Sequence, residues 1–262
     1  MLKKNKCYKV ALLISLFFSA KGTTAQLNEI KLSFIGDKYS QAFMGIKQGI
    51  NEANVQGKFL GKLYSLTNTP SESTAIFAAV DSEHIEKLSE VYSNKPIFNL
   101  TLDNNELRSK CFNNVLHIVP SLAMKEAAEA QWVKMNPESN ARAQTWHATF
   151  KKYAAGQLNS RFTKSYNHKM TDTAWAGWAA VRLLTDSTAR NQFNDETSLL
   201  KFIKSDLAFD GQKGMSLNFR ETGQLRQPLL LIDKGKIVGE APVRGVANST
   251  DLDSLGLTHC SI

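Results

Sequence analysis

The sequence predicts an α/β fold: a mostly parallel sheet built by the first half of the chain, then a largely helical stretch, then a short run of strands. Three observations predict it. Short apolar runs alternate with helical periodicity from Ile30 to about Leu102. From Leu122 to about Arg190 the pattern becomes almost wholly helical. After Phe209, apolar runs punctuated by glycine return in "FDGQKGMSLNFRETGQLRQPLLL", the mark of turns between short strands.

The chain begins with "MLKKNKCYK", which is basic, and "VALLISLFFSA", a short apolar core. With small Thr23 and Ala25 ahead of Gln26, this predicts a secretory signal peptide over residues 1–25. The alternative is an uncleaved anchor, for which the apolar run is short. No other stretch is long and apolar enough to span a bilayer, so no stable membrane insertion is expected after cleavage. Cys7 precedes the apolar core and is no lipid-anchor cysteine. Lys3, Lys4, Lys6, Lys9 and Lys21 leave with the signal, so the net charge of +8 falls to +3 over the remaining 237 residues. A charge that small gives no case for nucleic-acid binding.

"IKLSFIG" reads as a first strand closed by Gly36, and "DKYS" as a loop. Phe43, Ile46, Ile50 and Ala53 then recur at helical spacing up to Gly57. Residues 59–66, 73–80 and 95–102 read as further strands, with "DSEHIEKLSEVYS" a helix between the last two. The join "TNTPSE" is too short for a parallel crossover, which takes at least about ten residues; either a helix is missing or those two strands do not lie side by side. "SLAMKEAAEAQWVKM" reads as a helix capped by Ser121 and halted before Pro137, and "NPESNARAQ" as a polar linker. "TWHATFKKYAAGQLNSRF" and "AWAGWAAVRLL" predict two more helices, the second with Ala176, Ala179, Ala180, Leu183 and Leu184 on one stripe. "ETSLLKFIKSDL" predicts a short last helix, and "MSLNF", "PLLLID" and "KIVGEAPV" a small antiparallel ladder.

No constellation for catalysis is visible. His84, His117, His147, His168 and His259 are scattered singly, which gives no metal spacing, and no serine elbow occurs. The chain therefore reads as a non-enzyme without a cofactor. "GQKG" at 211–214 has two glycines and precedes a strand; it fails the phosphate-loop templates and reads as a turn. Cys111 and Cys260 remain after the signal, and in an exported chain their pairing as a disulfide is expected, the alternative being two free thiols. Trp175 and Trp178 lie three apart on a helix and form either a stacking wall for a planar ligand or core. The loops that follow parallel strands are where open α/β sheets bind ligands. There Tyr39, Ser40, Ser82, Asn99 and Thr101 suit a small polar or carboxylated solute beside helix N-termini; the alternative is ordinary capping by Ser40, Ser82 and Asp103.

"IKLSFIGDKYSQAFMGIKQGINEAN", the "PIFN…LR…C…NVLHIVPSLAM" block, "FKKYAAGQLNSRF", "AWAGWAAVRLL" and the closing segment from Phe209 to Leu231 together resemble the type I periplasmic solute-binding proteins of ABC transporters. Within them they are most similar to the branch associated with pyrroloquinoline-quinone-dependent alcohol oxidation. The resemblance implies two α/β lobes closing over a small organic solute in the periplasm of a Gram-negative bacterium and delivering it to an ABC permease. It implies a first lobe over 26–120, a reduced helical second lobe over 121–205 and hinge-side strands with the C-terminal tail over 206–262 returning to the first lobe. Ser82, Asn99 and Thr101 fall where such proteins hold ligand, and Val119, Pro120 and Ser121 at a hinge crossing. One departure stands out: only "VKMNPESNARAQ" occupies the place of most second-lobe strands. A trimmed fold of this kind could instead serve as an accessory protein to a periplasmic quinoprotein dehydrogenase.

Overall fold

The computed structural model describes residues 27–260. The expected signal peptide at 1–25 lies outside the described residues.

A five-stranded parallel sheet forms the larger body, in the order β2 (Lys62–Thr67), β1 (Asn28–Gly36), β3 (Ala75–Ala79), β4 (Ile97–Asn99), β5 (Val115–His117). Central β1 alternates strictly. Ile30, Leu32 and Phe34 face the main core, while Ile35 packs with Ile76 and Ala78 on the opposite face. That opposite face is covered by α2 (Ser82–Val91) and α3 (Asn105–Ser109), through Ile85 and Leu107.

The awkward join resolves through the strand order. β1 lies between β2 and β3, so the two do not pair. β2 is registered with residues 28–33 of β1, and β3 with residues 32–36. Thr67 thus ends level with Ser33, and Ala75 begins one residue away at Leu32 on the other side. A chain that restarts at the height where it stopped needs no return helix. One 3-10 turn at Pro70–Glu72 crosses the strand instead, held by Thr74 N donating to Lys31 O at 2.8 Å and by the Lys31–Glu72 pair at 3.0 Å.

On the main-core face, α1 (Gln41–Gly57) runs against α6 (Asp172–Arg190). A Cβ on Gly45 would fall 1.9 Å from Ala174 O, and one on Gly177 would fall 2.2 Å from Ala42 O. The axes approach this closely because these glycines, with Gly49 against Val181, leave backbone facing backbone. The pairing Gly45–Ala174 and Gly49–Val181 also shows that the two helices run parallel, so both N-termini lie at the carboxyl edge of the sheet. α5 (Ala155–Tyr166) and α7 (Glu196–Ser205) bury Leu158, Phe162, Leu199 and Ile203 in the same core.

The smaller body differs from the expected helical lobe over 121–205. It consists of α4 (Leu122–Met135) and an antiparallel sheet ordered β6 (Arg142–Gln144), β7 (Leu229–Asp233), β8 (Lys236–Ala241). α5, α6 and α7 belong to the larger core instead: α6 meets α1 through Ala174, Gly177, Trp178 and Val181, and the stripe of Ala176, Ala179, Ala180, Leu183 and Leu184 is buried in that same core. The tail likewise divides, since β7 and β8 join α4. Leu229 and Leu231 of β7 pack with Met124 and Ala128, while Leu230 and Ile232 enter the main core. Both faces of β7 are therefore buried, and the smaller body sits directly on the larger. Two details of the ladder also differ. β6 arises inside the polar linker, and "MSLNF" supplies only isolated bridges, Phe209 with Leu217 and Phe219 with Leu225.

The Cys111 and Cys260 sulfurs are bonded, with Cα atoms 5.9 Å apart, tying the tail to the loop after α3.

Candidate functional site

Five of the six sequence-predicted ligand residues converge on one edge. Tyr39 and Ser40 follow β1, Ser82 follows β3, and Asn99 and Thr101 end β4; these are three adjacent strands. Their chemistry differs in kind. Tyr39 is 88% exposed, and its backbone N–H is fixed by Asp37 Oδ1 at 2.9 Å. Ser40 Oγ accepts from Phe43 N at 3.3 Å and so caps α1. Ser82 Oγ accepts from Asn104 Nδ2 at 3.0 Å. Asn99 is fully buried and internally satisfied: Oδ1 accepts from the backbone N–H groups of Thr101 and Leu102 (3.2 and 2.9 Å), and Nδ2 donates to Leu102 O (2.8 Å) beside His117 Nδ1 (2.9 Å). Asn99 therefore shapes the loop that presents Thr101.

α2 begins one residue differently from the capping expectation. Its N-cap is Asp81, whose Oδ1 accepts from His84 N at 3.0 Å and pairs with His84 Nδ1 at 2.7 Å. These hydrogen bonds hold the Asp81 carboxyl below its ordinary pKa. An aspartate already occupies that helix N-terminus, so it does not serve as an anion site for a carboxylated solute. Asp37 and Asp103 follow the other two strands, and Lys125 pairs with Asp103 at 2.8 Å. The smaller body is fastened here too: Leu122 N donates to Asp103 O at 2.7 Å and Ala123 N to Asn105 Oδ1 at 2.9 Å.

Trp175 lies one turn inside α6, at the same height, but is fully buried. It stacks on Trp146 with centroids 5.9 Å apart, and its Nε1 donates to Gly211 O at 3.2 Å. Lys213 Nζ also lies over this ring, 4.6 Å from its centroid. Trp175 is core, and Trp178, also buried, donates Nε1 to Glu52 at 2.8 Å.

Three chain segments join the two bodies, near residues 118–121, 144–146 and 226–229, and a buried polar set bridges them. Arg108 donates from Nε to Gln224 Oε1 (2.9 Å) and from Nη2 to Val119 O (3.0 Å). Gln224 Nε2 donates to Val119 O at 3.0 Å, and Gln227 Nε2 to Ile118 O at 2.6 Å. Lys213 Nζ donates to Thr145 O at 2.6 Å and Pro228 O at 2.9 Å, linking the segment that leaves the small sheet with the one that enters it. Burial pulls the Lys213 pKa down to about 7, against Asp172 and Glu240. Asp172 in turn accepts from Trp146 N at 2.7 Å and Thr145 N at 3.2 Å. Sequence reading missed this set; its only signal was the charge and amide content inside the apolar closing segment, where "GQKG" read as a turn.

Among the described residues, no group of three or more His, Cys, Asp or Glu could hold a metal ion. No described helix is long and apolar enough to cross a membrane. A cavity of about 540 Å³ opens at the opposite, amino edge of the sheet, between Glu29, Lys62 and the α6–α7 join.

No family model and no curated protein matches the chain. Solved structures do. An ABC transporter substrate-binding protein from Desulfitobacterium hafniense aligns at TM-score 0.62 and 11% identity over 80% of this chain and 98% of that one. The fold is that of the type I periplasmic substrate-binding proteins. A branched-chain amino acid transporter substrate-binding protein of Streptococcus pneumoniae, in complex with isoleucine, shares this substrate-binding fold at TM-score 0.63 and 9% identity, over 82% and 98% of the two chains. So does a Rhodopseudomonas palustris solute-binding protein in complex with 3,4-dihydroxybenzoic acid, at 0.65 and 9%, over 81% and 94%.

Proposed function

We propose that the protein is an exported solute-binding component that captures a small organic molecule at the carboxyl edge of the parallel sheet and serves an ABC permease in the periplasm. What supports this reading is a set of three chain crossings, braced by Arg108, Gln224, Gln227 and Lys213, that join a body with polar strand ends to a second, smaller body. Tyr39, Ser82 and Thr101 offer the side chains at that edge, with Asn99 as their support and Ser40 as the cap of α1. The neighbours' ligands span an aliphatic amino acid and an aromatic acid, which sets the panel to be tried. Assignment of the system to quinoprotein alcohol oxidation rests on the resemblance of the five segments alone.

The test is thermal unfolding of the purified protein against amino acids, aromatic and aliphatic acids, alcohols and aldehydes. A true ligand at a hundredfold its Kd adds about 2.7 kcal/mol, and Thr101→Val or Ser82→Ala should erase that gain. No shift with any of these compounds would overturn the reading.

One observation favours a second reading, a non-transport accessory protein; a periplasmic quinoprotein dehydrogenase as its partner rests on the resemblance alone. Among the described residues, the smaller body has beyond α4 a three-stranded sheet whose central strand is buried on both faces, which leaves little second wall for a solute. Stoichiometric co-purification with that dehydrogenase, and none with a permease, would support it over the first.

A further inference from the structure

A second concave site lies away from the strand-end edge. A groove of about 530 Å³ runs between α1, α6 and the loop at residues 208–212, within the size range of small-molecule sites. Its floor is a row on α6, Trp178, Arg182, Asp186 and Arg190; side chains four apart share one helix face.

Most charges in the groove are already matched. Glu52 accepts from Arg161 Nε at 2.7 Å and Trp178 Nε1 at 2.8 Å. Arg182 pairs with Asp186 at 2.8 Å. Two groups of opposite sign remain. Among the described residues, neither Arg190 on α6 nor Asp210 on the facing loop forms an ion pair within the protein. We infer that this groove binds a small zwitterion, a molecule carrying one carboxylate and one ammonium group, with the carboxylate at Arg190 and the ammonium at Asp210.

The chemistry excludes simpler occupants. A dianion would meet Asp210 and Asp186 as well as Arg190, and a simple amine would meet Arg190; only a molecule with both charges balances both walls. A guanidinium also offers the paired donors that a carboxylate fits best. Exposed Val55 supplies an apolar surface at the groove. Burial raises the Asp186 carboxyl above its ordinary pKa even against Arg182 and Arg190, while Arg190 and Asp210 themselves are exposed to solvent.

The loop wall is preset. Gly211 O holds Trp175 Nε1 at 3.2 Å, and Phe209 and Leu217 exchange backbone hydrogen bonds at 3.1 and 2.7 Å. Gln212 takes φ +56°, a left-handed conformation unusual for a residue with a side chain, and its Oε1 is buried without a partner. Strain of this kind is maintained where surrounding structure fixes it, commonly at ligand clamps. "GQKG", which has no role at the strand ends, thereby gains one.

Isothermal titration of the purified protein with the dipeptide alanyl-phenylalanine, its N-acetyl form and its C-terminal amide tests the assignment. The inference expects the free dipeptide to bind and each capped form to bind at least tenfold more weakly. Arg190→Gln and Asp210→Asn, both surface changes, should each weaken the free dipeptide at least tenfold, while Thr101→Val and Ser82→Ala leave it unchanged. Equal binding by capped and free forms, unchanged affinity in both groove variants, or no binding up to millimolar dipeptide would overturn it. If only the Thr101 and Ser82 variants lose affinity, the dipeptide occupies the strand-end edge; the groove assignment then falls and the solute-binding reading stands.

Discussion

Lys213 Nζ lies 4.6 Å from the centroid of the Trp175 ring while donating to two backbone carbonyls, so a buried cation is held by an aromatic face and by the chain crossings. Its folded pKa of about 7 lies far below the ordinary 10.5. Between those values the unfolded chain carries a proton on this amine that the folded protein does not. Stability therefore rises with pH across that window, and the full cost of burying the charge, on the order of 5 kcal/mol, is present below pH 7. Denaturant unfolding at pH 6.5 and 9 should show a rise in the wild type that is absent in Lys213→Met. Equal slopes in the two proteins would refute it.

His117 makes the acid-side counterpart. Burial, and then the charge of Arg108, push its pKa well below 6.5. The folded state keeps it neutral, with Nδ1 beside the Asn99 amide at 2.9 Å, whereas the unfolded chain takes up a proton as pH falls through 6.5. Stability is complete above that pH and declines below it. Unfolding free energies at pH 7 and 5 should therefore drop more in the wild type than in His117→Asn.

Gly177 tests the contact of α1 with α6. A Cβ there would lie 2.2 Å from Ala42 O, which is backbone and cannot rotate away. Gly177→Ala should cost about 1–3 kcal/mol, seen as a Tm several degrees lower. Gly156→Ala on α5, where the nearest atom to a new Cβ is 3.6 Å away, should be neutral or stabilising by up to about 1 kcal/mol.

Arg108 and Gln224 should prove coupled. Arg108→Met removes donors from Gln224 Oε1, Asn104 O and Val119 O, at about 3 kcal/mol. Because Gln224 also reaches Val119 O, the double variant Arg108→Met with Gln224→Ala should cost less than the sum of the singles by at least about 0.5 kcal/mol. Additive costs would show that the two act independently.

The bond between Cys111 and Cys260 spans 149 residues, so its loss should lower stability by up to roughly 5 kcal/mol. Melting with and without dithiothreitol, compared with Cys260→Ser, measures this directly. A Tm unchanged by reductant would show that the bond adds nothing.

What the strand-end reading captured, it captured through local chemistry. Ser40 and Ser121 announce helix starts because a hydroxyl that caps acts within four residues. Asn99 was visible as a polar residue closing an apolar strand, but not that all its polar atoms are spent inside its own loop. Nor could spacing distinguish Trp175 as a ligand wall from Trp175 as core, since both place an aromatic on the inner face of a helix.

By itself, the sequence determined the alternation of strands and helices, the parallel first sheet and the glycine-bounded closing strands, because these follow from periodicity and capping within a few residues. Only the tertiary structure decided that β1 separates β2 from β3, that α6 joins α1 instead of α4, and that Lys213 links Thr145 to Pro228. Each depends on segments from tens to more than a hundred residues apart, where register and close approach, such as Gly45 against Ala174, select the partner. Periodicity carries no record of which distant surface a stripe will meet.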